Sequence, residues 1–385
     1  MSKAQTIQHF RSSFDSSPEL IVRAPGRINL IGEHTDYNEG FVVPGAIDKS
    51  VWVAVAPRTD HEIHLYAWNY KSYYKTDLQS LQRSDKMSWP HYVLGIMDEL
   101  MKISLKPSGV NVCFGGDIPA GAGLSSSAAV ESGMLFALNE LCQFGLSRTQ
   151  MARLARQAEN NFVGMQCGIM DMFASLHGRE NHVLRLDCRD LSYTMLPFQF
   201  PGYLLFVCDS GVKHALVHSE YNTRRLECET GVEQLRRHYP DVRTLRDVNF
   251  SMLSAVASEM DPVIWRRCKY VAEELERVDA AGKAMTQGDV ETLGSLLTAT
   301  HAGLRDDYEV SCTETDHLVA VANGYDFVAG SRMMGGGFGG CTVHLIREGS
   351  AADFQKKITK SYFEQFGRYL RTFPVNLGNG AERVE

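Results

Sequence analysis

The stretch Pro119–Glu131, PAGAGLSSSAAVE, decides how the rest of the chain is read. Small residues lead into three serines. The serines run into an apolar helical pattern from about Ser126 to Cys142, with Val130, Met134, Leu138 and Leu141 on one stripe. The first turn of a helix leaves about four backbone N–H groups without partners, and the macrodipole adds partial positive charge there. Gly121 and Gly123 lack Cβ atoms, so backbone can come close to an anion. Ser125, Ser126 and Ser127 add hydroxyl donors, and one of them can cap the helix. A phosphate fits this loop. So does a plain capped helix after a flexible turn, and the loop alone does not choose between them. The lysine-bearing pattern G-x-x-x-x-G-K-[ST] is absent, and the pair Gly282-Lys283 lies inside an apparent helix. A nucleotide held here would need a metal ion or an arginine from elsewhere to neutralise it.

The bulk numbers place this loop in an ordinary globular chain. A length of 385 residues allows about two domains, each able to bury a core. With 44% hydrophobic and 22% charged residues the composition is that of a folded protein. A net charge of −7 makes a nonspecific nucleic-acid binder a poor fit, so any phosphate site is local. Nine cysteines are scattered singly with no C-x-x-C pair, which argues against a disulfide framework or a zinc ribbon. The N-terminal MSKAQTIQHF has no apolar core of a signal peptide, and no apolar run approaches the ~20 residues that span a bilayer. The expectation is a soluble cytoplasmic protein with reduced thiols and no nucleic-acid or membrane partner.

Outward from the serine loop, Phe41–Arg58 reads as strand, turn, strand around Pro44 and Gly45, and GVNVCFGGDI reads as another strand. Ser147 and Gln150 fit a capping box that starts a second helix, with Gly164 as its stop. Pro197, Pro201 and Gly202 punctuate the chain near residue 200, where the expected boundary separates residues 1–200 from 201–385. YLLFVCD opens the second half as a buried strand, and helices dominate the rest of that half. A strand, glycine loop, strand unit appears at YDFVAGSRMMGGGFGGCTVHLI, and an amphipathic helix covers roughly Ala351–Phe366. The expected class is α+β, two domains with mixed sheets. GGGFGG formally satisfies the dinucleotide fingerprint, but a strand-like run comes after it where a helix is required. A tight loop packed close to another backbone fits it better.

Two polar features remain. Between Arg23 and Gly40, Arg27, Glu33, His34, Asp36, Tyr37 and Asn38 crowd around the apolar INLIG. Carboxylates there can accept from the neighbouring hydroxyls of a polyol, while a solvated loop with an Asx turn is the plainer reading. The H-x-D spacing has no third His or Cys nearby to complete a metal site. Asp171 stands alone in the apolar run CGIMDMF, where an unpaired carboxylate is costly and a partner or a function is expected.

Together, GRINLIGEHTDY, PAGAGLSSSAAVE and RMMGGGFGGC resemble the galactokinase family of the GHMP kinase superfamily. GFVVPGAID, AENNFVGMQCGIMD, SEYNTRRLECE and HAGLRDDYEVS look like the same family in the same order, so the resemblance covers most of the chain. It implies a two-domain fold, an N-terminal ribosomal-protein-like α/β domain and a C-terminal ferredoxin-like α+β domain with the active site between them. It implies ATP-dependent phosphorylation of α-D-galactose at the C1 hydroxyl, the first committed step of galactose use by the Leloir pathway. By position it implies ATP contacts from Gly121, Ala122, Gly123, Leu124, Ser125, Ser126 and Ser127, with Trp89 and Tyr92 near the adenine. Ser127 and Glu159 would be ligands of Mg2+. Arg27, Glu33, His34, Asp36, Gly168 and Tyr221 would meet the sugar, and Asp171 would face the C1 hydroxyl as candidate base with Arg27 beside it. Where the family has Met-Thr, this chain has Met333-Met334, and Met172 stands where Gln is usual after the catalytic Asp. A kinase for N-acetylgalactosamine and a catalytically idle sugar sensor are the alternatives; the intact serine loop argues against the second. The expected assembly is a monomer.

Overall fold

The computed structural model describes residues 3–83, 88–119, 121–213 and 217–384, with the backbone alone at 213 and 217–219. The chain starts with α1 (Lys3–Phe14) and enters β1 (Leu20–Asn29), β2 (Phe41–Val42), β3 (Pro44–Pro57), β4 (Glu62–Ala67) and β5 (Ser72–Asp77). Next come α2 (Pro90–Lys102), β6 (Val110–Gly116), α3 (Ser126–Cys142), α4 (Arg148–Gln157) and α5 (Met170–His177). After these lie β7 (His182–Asp187), β8 (Tyr193–Pro197) and β9 (Tyr203–Lys213). Five helices come next: α6 (Val217–Leu235), α7 (Phe250–Ala255), α8 (Pro262–Gln287), α9 (Val290–Asp306) and α10 (Thr313–Asn323). The last elements are β10 (Val328–Met333), β11 (Gly339–Arg347), α11 (Ala351–Phe366), β12 (Arg371–Val375) and β13 (Glu382–Arg383).

One sheet has the order β13-β1-β3-β6-β4-β5, with β4 and β6 parallel and its other pairs antiparallel. Helices cover both of its faces, which is why β1 and β3 are buried along most of their length. Alternation along the pleat sends Val22, Val53 and Val55 into the main core, while Ile21 and Ala54 pack with Phe10 of α1. A second sheet, β10-β11-β9-β12, is antiparallel throughout. That order is ferredoxin-like, with α6 to α10 filling the first crossover. Together these give the expected α+β class. β2, β7 and β8 form a small third sheet.

Local signals set many of the boundaries. Ser147 and Gln150 form a capping box at α4, and Asp261 caps α8 by accepting from Val263 N and Ile264 N ahead of Pro262. Several expectations change. Pro44 and Gly45 do not make a turn: Pro44 opens one long strand, as proline can at a strand's first residue, and Phe41–Val42 joins β7 in another sheet. A Cβ at Gly45 would lie 2.6 Å from Leu377 Cδ2, so the Leu377 side chain would have to shift. α3 is buried on all sides from Ala128 to Asn139, with Leu141 only half-buried, so one stripe was too narrow an expectation. The helix expected to run from Ser147 to Gly164 ends as α at Gln157 and continues as a π-helical turn, Ala158–Val163, closed by Gly164 at φ +92°. The end of the chain returns to the first sheet, where β13 pairs with β1 and Arg23 meets Glu382 at 3.0 Å. Among the described residues no helix is long and apolar enough to cross a membrane.

Candidate active site

A cavity of about 580 Å3 lies between the serine loop, the polar cluster after β1, the segment following the π turn, α6 and the β10–β11 glycine loop. Gly121 and Gly123 take φ of +73° and +71°, and Ser125 takes +57°, so the loop turns sharply into α3. Nothing lies within 4 Å of a Cβ built on Gly123, so glycine is there for its backbone angle alone. Ser125 is the N-cap but makes no side-chain capping bond. Its hydroxyl donates to Asp171 Oδ2. The Ser125 side chain thus leaves the helix start uncapped, and Ser125, Ser126 and Ser127 line the cavity there. Ala122 is outside the lining. It is buried, and its carbonyl accepts from the Cys341 thiol of β11 at 2.7 Å, which pins the loop from beneath.

Arg27 organises the centre. It sits on β1 just past an irregularity in register at Pro25. Its Nε donates to Asp171 Oδ1 at 2.7 Å, Nη2 to Oδ2 at 2.9 Å and Nη1 to Gly123 O at 2.7 Å. A bidentate pair of this kind fixes both groups in orientation. Asp171, in the first turn of α5, is thus the paired carboxylate that its apolar surroundings demanded. Gly26 lets β1 approach the loop, since a Cβ there would lie 2.6 Å from Leu124 O.

The polar cluster is no solvated loop, because Glu33, His34 and Asn38 are buried. Glu33 Oε1 accepts from Arg332 Nη2 and from Gly335 N, both at 2.8 Å, and so joins this cluster to the glycine loop. His34 takes φ +61° and its Nδ1 meets Tyr37 Oη at 2.8 Å; Tyr37 Oη in turn meets Tyr308 Oη at 2.7 Å. Burial pulls the His34 imidazole down to about 4, so the ring is neutral at neutral pH. Burial, helped by the Asp171 charge, pushes the Asp36 carboxyl up to about 6. Gly168 lies so close that a Cβ on it would be 1.6 Å from Asp36 Oδ2. The Tyr221 ring stands 5.4 Å from those of His34 and Tyr37, centroid to centroid.

The other end of the cavity is aromatic. Trp89 and Tyr92 line it with Tyr70 and Phe114, and Trp89 packs 5.5 Å from Phe114 and donates to Ser72 Oγ at 3.2 Å. Beneath the serine loop, Glu159 Oε2 accepts from the Cys167 thiol at 3.1 Å, and Ser127 and Glu159 both line the cavity there. Burial, with Asp171 adding, pushes Glu159 up to about 7, and burial with Glu159 holds the Cys167 thiol well above its ordinary range, so the thiol is a donor. The hydroxyl and carboxylate oxygens of Ser127 and Glu159 form a hard donor pair suited to a cation such as Mg2+. Among the described residues no group of three or more His, Cys, Asp or Glu is spaced to hold an ion.

Sequence reasoning missed several contributors. The glycine loop is, as expected, a tight loop against other backbone: a Cβ on Gly337 would lie 2.2 Å from Val310 O, and β11 comes next where a dinucleotide fold needs a helix. It also lines the cavity, together with Met334. Arg332 and Tyr308 act through contacts between residues far apart in the chain, and Cys167 through contacts seven and eight residues back; no local pattern marks them. Glu131 is fully buried, and among the described residues neither carboxylate oxygen has a hydrogen-bond partner; burial and the charge of Glu159 hold it well above the usual carboxylate range.

A lysine-free serine loop facing a bidentate Arg–Asp pair, on this pairing of sheets, defines a kinase of the GHMP class. The N-terminal domain of GHMP kinases matches residues 91–179, their C-terminal domain matches residues 278–365, and the galactokinase galactose-binding signature matches residues 8–57. The chain belongs to the galactokinase family. It is 39% identical to the galactokinase of Roseiflexus sp. (strain RS-1) over 98% of its length and 96% of that protein. It is 40% identical to that of Chloroflexus aurantiacus over 97% and 96%. Among solved structures, the Lactococcus lactis galactokinase complexed with galactose superposes at a TM-score of 0.95, with 30% identity and 99% of each chain covered. A mevalonate kinase structure, at 19% identity and a TM-score of 0.66, shares the fold.

Proposed function

We propose that this protein transfers the γ-phosphoryl group of ATP to the C1 hydroxyl of α-D-galactose, giving galactose 1-phosphate and ADP. The observation that carries the reading is the Arg27–Asp171 pair, held where the serine loop and the buried acidic cluster open into one cavity. Asp171 accepts the C1 hydroxyl's hydrogen bond and is placed to receive its proton, and Arg27 steadies that carboxylate and the charge on the transferring group. Glu33 through Oε2, with His34, Asp36, Gly168 and Tyr221, takes the sugar. Gly121, Gly123, Leu124, Ser125, Ser126 and Ser127 wrap the phosphates, and Trp89 and Tyr92 flank the adenine. Ser127 and Glu159 would hold Mg2+, which supplies the positive charge that a P-loop lysine supplies elsewhere. A division near residue 200 into domains 1–200 and 201–385, the second returning β13 to the first sheet, belongs to the same reading, as does a cytoplasmic monomer.

The test is ADP release from MgATP across galactose, N-acetylgalactosamine and glucose. Galactose is expected to give the highest kcat/KM, and a folded sample that turns over none of it contradicts the proposal. Gly168→Ala tests the sugar end. A methyl group cannot sit 1.6 Å from Asp36 Oδ2, so Asp36 or the 164–168 segment must move. Calorimetry is expected to show galactose affinity falling about tenfold or more, since a displacement of about 1 Å at such a site costs heavily; unchanged affinity would place the sugar elsewhere.

A further inference from the structure

We infer that Cys167 is a positioning residue, whose thiol orients the Glu159 carboxylate toward the metal–triphosphate and whose backbone ties that carboxylate to the sugar pocket. The inference rests on the reading of Glu159 as a metal ligand.

Glu159 occupies an unusual place. It lies in the π-helical turn, where the regular ladder of α4 is broken, so its orientation needs support from elsewhere. The segment after the turn folds back and supplies it. Gly164 N and Met165 N both donate to Glu159 O, at 2.8 and 3.0 Å. The Cys167 thiol then donates to Oε2 at 3.1 Å. Cys167 is itself fixed from two sides, with its N–H donating to Asn160 Oδ1 at 3.0 Å and to Met165 O at 2.9 Å. Asn160 Oδ1 is a second acceptor within reach of the sulfur at 3.4 Å, a longer contact than the 3.1 Å to Glu159.

The next residue is Gly168, packed on Asp36 more closely than any side chain allows. One short segment therefore braces the metal end of the cavity with a side chain and the sugar end with its bare backbone. Groups that orient a metal ligand commonly contribute about 10–100-fold to metal affinity or activity. A cysteine that merely fills space would contribute to both ends alike.

The experiment titrates Mg2+ into the full chain saturated with ADP and titrates galactose separately, both by calorimetry. It compares wild type with Cys167→Ala, Cys167→Ser and Glu159→Ala. Cys167→Ala is expected to weaken Mg2+ binding about tenfold and to leave galactose binding unchanged. Cys167→Ser keeps a donor and is expected to recover most of the loss. Normal Mg2+ affinity in Cys167→Ala, with Glu159→Ala impaired, overturns the role of the thiol. So does an equal loss at both ligands that Cys167→Ser does not repair. Normal Mg2+ affinity in Glu159→Ala removes Glu159 from the metal, and the proposal with it.

Discussion

Asp171→Asn is expected to lower kcat by about 10²–10⁴-fold, or about 2.7–5.4 kcal/mol of barrier, while galactose still binds. The amide keeps the shape of the side chain, but it loses the charge that Arg27 holds at 2.7 and 2.9 Å, and it cannot receive a proton. Arg27 retains its bond to Gly123 O at 2.7 Å, so the serine loop stays anchored. The sugar contacts from the cluster after β1 do not pass through Asp171. Steady-state kinetics should therefore show the loss in kcat, and calorimetry should show galactose affinity near wild type. Turnover close to normal would remove Asp171 from the chemistry. A loss confined to KM would make it a binding group only.

The largest expected effect on stability comes from Arg332→Met. Both members of the Arg332–Glu33 pair are out of solvent, with side-chain exposures of 0% and 3%. Beyond Glu33, the guanidinium satisfies the carbonyls of Leu30, Asn29 and Met333. Methionine fills the space but removes the carboxylate's ion partner and the guanidinium's four hydrogen bonds. Breaking one partner of a buried pair costs about 3–5 kcal/mol, and urea unfolding should report a drop of that order. Because Glu33 Oε1 also holds Gly335 N, the surviving folded fraction should bind galactose more weakly. A stability change well under ~1 kcal/mol would mean that the pair's desolvation cancels its attraction in this setting.

How much of this could be read from the sequence depends on where each feature's cause lies. The serine loop, the capping box at Ser147 and Gln150, the start and end of α3 and the strand-flanked glycine loop have local causes: missing Cβ atoms, a side chain bonded three residues away, a run of apolar residues. These were legible. The sugar-side carboxylates and Asp171 were legible as a set, though not their arrangement, which depends on β1 delivering Arg27 to α5 across 144 positions of sequence. Pro44 was misread because a proline marks a turn and a strand's first residue equally well, and the choice is made by β7 and Leu377, far along the chain. The π turn that carries Glu159 continues the apolar period of α4 without a visible break. Ser125 gave the right residue type for a cap, but Asp171 takes its hydroxyl instead. Arg332 and Cys167 carry no local signature at all. A lone arginine in a strand acquires its role only when the two sheets meet, and a lone cysteine in a loop only when its segment folds back on the π turn.

The central claim is that one cavity brings the γ-phosphoryl group of ATP to the C1 hydroxyl of galactose beside Asp171. Its most direct test is phosphorus-31 NMR of the product formed from MgATP and galactose labelled with carbon-13 at C1. The account predicts a sugar phosphate whose phosphorus signal is split by the labelled carbon, formed far more slowly by Asp171→Asn. A phosphate on any other carbon, or ADP formed with no sugar phosphate, would contradict it.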